Sequence, residues 1–151
     1  MRNINTFRDH SIASEHAIVA KRIKTELAEK FPGINFSIKS KSFASGDNVT
    51  VAWTDGPSKD AIESLVLKYR YGTFDVSRNL YMRDNYNDNL PQAKYVMLSH
   101  HYSDLLCKKA KEEIALGFNV DMNDNQAVFA TFGNWPQPLI RAKLEHTYPF
   151  K

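Results

Sequence analysis

This chain of 151 residues has little cysteine, no long apolar run and a net charge of only +3. Because Cys107 is its single cysteine, no disulfide can form within the chain, and a reducing cytoplasm is the simplest setting. No apolar run reaches the roughly 18 residues that a membrane-spanning helix needs. The first ten residues lack the apolar core of a secretory signal. We therefore expect a cytoplasmic protein that does not insert into membranes.

Dedicated signatures of enzymes and of nucleic-acid-binding proteins are missing as well. The chain shows no zinc-finger spacing, no helix-turn-helix pattern, no aromatic run of the RNP type and no catalytic motif. Lys and Arg outnumber Asp and Glu by eight to five in residues 1–50, whereas residues 51–100 and 101–151 each carry six of either sign. The basic surplus therefore falls on the predicted first helix and hairpin, and it is smaller than nucleic-acid binders tend to carry.

The clearest local pattern is a β-hairpin within residues 34–54. Apolar and polar residues alternate along both predicted strands, which places one apolar set on a single face: Ile34, Phe36, Ile38, Val49, Val51 and Trp53. Residues 45–48 supply the turn, because Gly and Asn tolerate positive φ. Lys39, Lys41 and Phe43 project from the opposite face. The hairpin thus has one face that must be covered and one that meets solvent.

The spacing of apolar residues predicts further elements around this hairpin. Helices are expected at residues 12–30, from a cap at Ser58 to a stop at Gly72, and at residues 103–116, with one or two helical turns within residues 139–144. Gly72 is interpreted as the stop of the second helix. Residues 95–101 are a predicted buried strand and residues 127–132 a predicted short apolar strand, and residues 73–92 form a long loop with one short strand near Leu80. The fold class is therefore α+β, a single domain over residues 1–151 with an antiparallel sheet of about three to five strands, a central β-hairpin and helices packed on one face.

Three motifs in the first half of the chain carry a family resemblance. These are FPGINFSIKSKSF at residues 31–43, VAWTDGP at residues 51–57 and YGTFD at residues 71–75. The set resembles the large polyvalent protein-associated domains, most closely the one numbered 29, and YVMLSHHYS at residues 95–103 is similar to a later segment of that family. The resemblance implies an origin in a phage, plasmid or conjugative element of a bacterial host, and an accessory or counter-defence context. It makes residues 12–75 the family-like core and residues 95–151 additional strand and helix elements.

Three residues are candidates for catalysis, and each also has a structural interpretation. Asp55 and Asp75 lie in the family-like motifs, where two carboxylates brought together would form an acid–base pair or hold a cation. Alternatively, each carboxylate organises the turn in which it lies. His100 ends a predicted strand, a position that suits acid–base chemistry, although the adjacent His101 points to the opposite face. The resemblance brings no established catalytic residues.

No metal site and no cofactor are expected. Residues 121–125 begin like a calcium-binding loop, but the chain then lacks the Gly and the bidentate Glu that such a loop requires. Cys107 lies early in a predicted helix beside two lysines, a setting that lowers a thiol pKa, yet no second Cys follows it. We interpret Cys107 as a small, partly buried side chain.

Several basic residues and one aromatic residue are candidates for binding: Lys39, Lys41, Phe43, Lys21, Arg22 and Arg78. Cations beside an aromatic ring hold a nucleic-acid backbone while the ring stacks a base. Lysines on a strand also guard a sheet against edge pairing, so both explanations stay open.

These observations lead to three hypotheses about function. The first is a non-enzymatic binding module of a mobile genetic element that engages a host defence protein or another element-encoded protein. The second is a weak nucleic-acid-binding domain that uses the face of Lys39 and Lys41. The third is an enzyme acting on a nucleotide or nucleic acid through Asp55, Asp75 or His100. We favour the first, and the sequence predicts neither the partner's identity nor the oligomeric state.

Overall fold

The computed structural model describes residues 14–147, which form helices and two small sheets. In chain order the elements are α1 (Glu15–Lys30), β1 (Ser37–Phe43), β2 (Gly46–Thr54), α2 (Lys59–Val66), β3 (Thr73–Asp75), β4 (Leu80–Met82), β5 (Tyr95–His101), α3 (Asp104–Phe118), α4 (Asn125–Phe132) and α5 (Pro136–Thr147). The first two residues of the predicted first helix lie outside the described residues. Within residues 14–147, no helix is long and apolar enough to cross a membrane.

The main sheet has three strands in the order β1-β2-β5. β1 and β2 form the predicted antiparallel hairpin. β5 pairs with β2 in parallel, so the α+β class is confirmed but the main sheet is mixed rather than wholly antiparallel. The reason lies in the connection, because the chain leaves β2 at one end of the sheet and returns through α2 and a long segment to start β5 at the other. Such a crossover produces a parallel pair.

The turn of the hairpin lies earlier than the sequence suggested. Phe43 pairs with Gly46, which leaves only Ala44 and Ser45 between the strands, whereas residues 45–48 were expected to turn. Residues 46–48 are drawn into β2 by contacts from the segment that leads into β5. There, Asn48 pairs with Tyr95, and the Asp47 carboxylate accepts a hydrogen bond from the backbone of residue 94. The position of the turn is therefore set by a long-range contact that local sequence patterns do not predict.

The first hydrophobic cluster lies between the sheet and the two helices that pack on it. Val49 and Val51 are fully buried against α1 and α2, and Trp53 is 2% exposed, so the predicted inward face of β2 is confirmed. α1 contributes a fully buried stripe at the predicted spacing: Val19, Ile23 and Leu27. Burial of each such side chain contributes about 1.5–3 kcal/mol, which makes this cluster the main support of the sheet.

The second hydrophobic cluster is formed by the three C-terminal helices. Its buried members are Ala110, Ile114, Met122, Val128, Ile140 and Leu144. The predicted strand at residues 127–132 is wrong, because this segment is α4. The Asp124 carboxylate caps α4 by accepting from the backbone N–H groups of Gln126 and Ala127, and Gly133 closes it at φ 67°. Helical structure at residues 139–144 is confirmed and extends over the whole of α5.

A second, two-stranded sheet occupies part of the predicted loop at residues 73–92. β4 confirms the short strand near Leu80, and its antiparallel partner β3 was not predicted from the sequence. Gly72 is not a helix stop, because α2 and the 3₁₀ turn after it already end at Tyr69. A side chain at Gly72 would collide with the backbone carbonyl of Met82. Glycine is therefore needed at this position so that the short hairpin can approach closely.

Candidate functional site

One face of the main sheet is covered by α1 and α2, and the opposite face is not. Strand alternation assigns to this open face Ser37, Lys39, Lys41 and Phe43 from β1, Asn48, Thr50, Ala52 and Thr54 from β2, and Tyr95, Met97, Ser99 and His101 from β5. Exposure agrees with that assignment, since Lys39, Lys41 and His101 are exposed and Met97 is 57% exposed. The open face is therefore a regular sheet surface that neither α1 nor α2 covers.

The charge of the open face has one sign. Lys39 and Lys41 make no ion pair with any residue in the described part of the chain, and none of the strand positions of this face carries a carboxylate. The one acidic residue of β2, Asp47, points the other way, towards α1, where its carboxylate lies 3.6 Å from His16. The open face consequently presents positive charge that no neighbouring group neutralises.

An aromatic pair closes the end of the open face where β5 begins. The rings of Phe43 and Tyr95 stack with centroids 6.2 Å apart and planes 19° apart, and Tyr81 of β4 meets Tyr95 edge-on at 5.4 Å. The Lys94 ammonium lies 5.5 Å from the centre of the Tyr95 ring and donates a hydrogen bond to the carbonyl of Ser45 at 2.7 Å. The Tyr81 hydroxyl in turn donates to the Lys94 carbonyl. These contacts hold a third cation beside the rings.

A shallow depression of about 450 Å³ lies at the other end of the open face. Its lining includes Asn35, Ser37, Thr54 and His101. The His101 imidazole is hydrogen-bonded to the Ser99 hydroxyl at 2.9 Å. The six steps of β5 from its first residue to its last span about 20 Å, which separates the aromatic pair from this depression. The open face therefore carries rings at one end, lysines between, and polar groups at the other end.

The structure places only three of the six predicted binding residues on this face. Lys21 and Arg22 are exposed on α1, which packs on the opposite side of the sheet, where they line a groove of about 940 Å³. Arg78 lies in the turn between β3 and β4, 3.6 Å from the Asp75 carboxylate. Lys39, Lys41 and Phe43 thus form a surface to which the other three do not contribute.

The contribution of β5 to the open face was not predicted from the sequence. The strand predicted at residues 95–101 is confirmed, but its predicted burial is not, because His100 is the one buried residue of that strand and the others are half-buried or exposed. The sequence does contain a signal that this strand has two different faces. Its more apolar or buried residues alternate with Tyr95, Met97, Ser99 and His101. Alternation alone did not show that this strand would lie beside β2.

Asp55 and His100 serve the junction between β2, β5 and α3. The Asp55 carboxylate accepts a hydrogen bond from the Ser103 backbone at 2.8 Å, and the Asp55 carbonyl accepts one from His100 Nε2 at 3.0 Å. Asp55 has φ 55°, a left-handed conformation that is uncommon outside glycine. His100 stacks on Trp53 at 4.6 Å, and burial lowers the pKa of its imidazole. Both side chains are therefore engaged in contacts that hold the strand ends together.

Asp75 lies in the turn of the small hairpin, away from Asp55. Its carboxylate accepts from the Ser77 hydroxyl at 2.6 Å and from the backbone N–H groups of Ser77 and Arg78. These bonds lower the pKa of Asp75, with the Ser77 hydroxyl as the largest cause. The hairpin contacts the beginning of β5, whereas Asp55 sits beside its end, so the two carboxylates are not brought together.

No metal centre emerges from the part of the chain that the structure describes. In residues 14–147, no three His, Cys, Asp or Glu side chains gather closely enough to hold a metal ion. Cys107 is half-buried, with its thiol 4.0 Å from the Tyr102 carbonyl. Asp121 and Asp124, from the segment that begins like a calcium loop, accept hydrogen bonds from backbone N–H groups of their own turn and of α4. These side chains are therefore engaged within the fold, whereas Lys39 and Lys41 of the open face make no ion pair with any described residue.

Comparison with known proteins identifies a family. A family model described as large polyvalent protein associated domain 29 matches residues 14–105. Neither the curated proteins nor the solved structures yield a match. The matched span ends as α3 begins, so it contains both sheets, α1, α2 and the whole open face, and it reaches further than the family-like core of residues 12–75 that the motifs suggested.

Proposed function

The match covers more than half of the chain, so the protein belongs to the large polyvalent protein associated domain 29 family, and we propose that it is a non-enzymatic binding module. Membership indicates an accessory domain of a mobile genetic element. The proposal is that the open face binds a macromolecule with a negatively charged surface. A counter-defence role in the bacterial host, through a host or element-encoded partner, belongs to the same proposal.

The observation that carries the proposal is the unpaired positive charge of the open face. Lys39 and Lys41 have no anionic neighbour among the described residues, and Lys94 adds a third cation beside the aromatic pair. Exposed cations without partners attract an oppositely charged surface and increase the rate of encounter with it. Asp55, Asp75 and His100, by contrast, are all occupied by contacts within the fold, which supports binding over catalysis.

A polyanion column tests this proposal directly. The wild-type protein should be retained on immobilised heparin, and Lys39→Glu with Lys41→Glu should elute at clearly lower salt. The matched control is Lys108→Glu with Lys109→Glu on α3, which makes the same change in net charge at two other exposed positions. The control should elute close to the wild type. Equal shifts of both double variants, or no retention of the wild type, would overturn the role of the open face.

A further inference from the structure

We propose that the anionic partner is a single-stranded nucleic acid, which lies across the open face with one base stacked on Phe43. The inference rests on the proposed function, and it adds the class of partner and the mode of contact. Three features of the open face support it: the rings at one end, the spacing of the lysines, and the polar groups at the other end.

The aromatic end supplies a prearranged stacking surface. Phe43 is 39% exposed although it is large and apolar, and its ring is supported from one side by Tyr95. Tyr95 is supported in turn by Tyr81, so the exposed ring has little freedom to lose when a base stacks on it. Base–aromatic stacking tolerates any base, since every base has a π face. A duplex keeps those faces inside its stack, which makes a single strand the better fit.

The lysines are placed to follow a backbone. Lys39 and Lys41 are two residues apart on β1, and therefore about 7 Å apart along one side of the strand. That separation allows each ammonium group to meet a different phosphate of an extended chain. The Lys94 ammonium uses one donor on the Ser45 carbonyl, and a lysine has three, so two donors stay available near the ring.

The polar end offers hydrogen bonds that a base or a sugar can use. Asn35, Thr54 and His101 are exposed around the depression, and they supply amide, hydroxyl and imidazole groups. With about 20 Å between the two ends, a strand of a few nucleotides can reach from the ring to the depression. An acidic peptide would satisfy the lysines alone, and it would leave the exposed ring without a role.

The test is fluorescence anisotropy with a labelled oligothymidine strand, the matching duplex, and polyglutamate as competitor. The single strand should bind more tightly than the duplex. Its affinity should fall with salt, and Lys39→Glu with Lys41→Glu should reduce the slope of log affinity against log salt by about 1.4, since each single-strand phosphate contact contributes about 0.7. Phe43→Leu should weaken binding of the strand roughly 5- to 100-fold, as expected for the loss of one stacked base.

Heparin elution of the same variants separates this inference from the proposed function. Phe43→Leu should leave heparin elution unchanged, because heparin offers charge but no base. Phe129→Leu on α4, where the ring is 46% exposed, is the matched control and should bind the strand as the wild type does. Three outcomes would each overturn the inference. They are unchanged strand binding by Phe43→Leu, equal affinity of the wild type for the strand and the duplex, and stronger competition by polyglutamate than by unlabelled oligothymidine. Unchanged heparin elution by the lysine variant would overturn the proposed function itself.

Discussion

Replacing Trp53 tests the central contact of the first hydrophobic cluster. Its indole is 2% exposed, stacks on His100, and donates a hydrogen bond from Nε1 to the Pro57 carbonyl at 3.0 Å. Truncation of such a ring to alanine costs about 3–5 kcal/mol, which approaches the whole stability of many domains. Trp53→Phe is the sharper change, because it keeps an aromatic ring and removes the donor.

The expected cost of Trp53→Phe follows from two losses. The Pro57 carbonyl is left without its partner, which costs about 1–3 kcal/mol, and the missing half of the indole leaves a small void. We expect a total of about 2–4 kcal/mol. At a urea m-value of about 1.5–2 kcal/mol/M, this lowers the unfolding midpoint by about 1–3 M.

The chain provides its own control for this measurement. Its second tryptophan, Trp135, is 54% exposed, so Trp135→Phe should change stability by no more than about 0.5 kcal/mol. Each variant keeps one tryptophan, and the two remaining indoles lie in different surroundings, one buried in the first hydrophobic cluster and one exposed beside Phe129. Far-UV circular dichroism therefore serves both variants as a common probe. Equal midpoints for Trp53→Phe and Trp135→Phe would refute the packing described for β2.

Three further predictions concern charge and backbone. The free energy of unfolding should fall as the pH drops below about 6.5, because burial lowers the folded-state pKa of His100 and the unfolded chain takes up the proton first. Urea titrations between about pH 7.5 and pH 5 should show a smaller fall for His100→Gln than for the wild type. Equal falls for the two proteins would contradict this explanation. Gly72→Ala should lower the melting temperature by several degrees, whereas Gly117→Ala, where a Cβ meets open space, should not lower it. Lys39→Glu with Lys41→Glu should leave the free energy of unfolding within about 1 kcal/mol, and a larger loss would show that these lysines support the fold.

Local sequence patterns predicted the two faces of the hairpin because one physical cause governs both strands. Side chains alternate across a strand, and the apolar set must be covered, so the direction of Trp53 follows from its neighbours Val49 and Val51. The same logic placed Lys39 and Lys41 on the solvent side. The pairing of β5 with β2 has no such local cause in the sequence. The parallel placement of β5 depends on a crossover whose path is set by packing of α2, and the sequence of β5 does not encode it.

The error at residues 127–132 has a specific source. A run of six residues, AVFATF, is short enough to fit either a buried strand or a helix, and its periodicity does not decide between them. The deciding signals lie just outside the run. Asp124 is a strong N-cap residue and Gly133 a strong C-terminal stop, and together they enclose a two-turn helix. The flanking residues carried more information than the apolar run itself.

The lysines of β1 can be explained as a guard against edge pairing, and the structure allows that explanation to be weighed. β1 is an edge strand, so Lys39 and Lys41 would discourage another strand from adding to it. Protection against edge pairing, however, requires charged side chains on the edge strand alone. It does not require Phe43 to remain exposed above Tyr95, nor a face without carboxylates on all three strands. A surface that binds an anionic strand accounts for these features together with the lysines, and for that reason we prefer it.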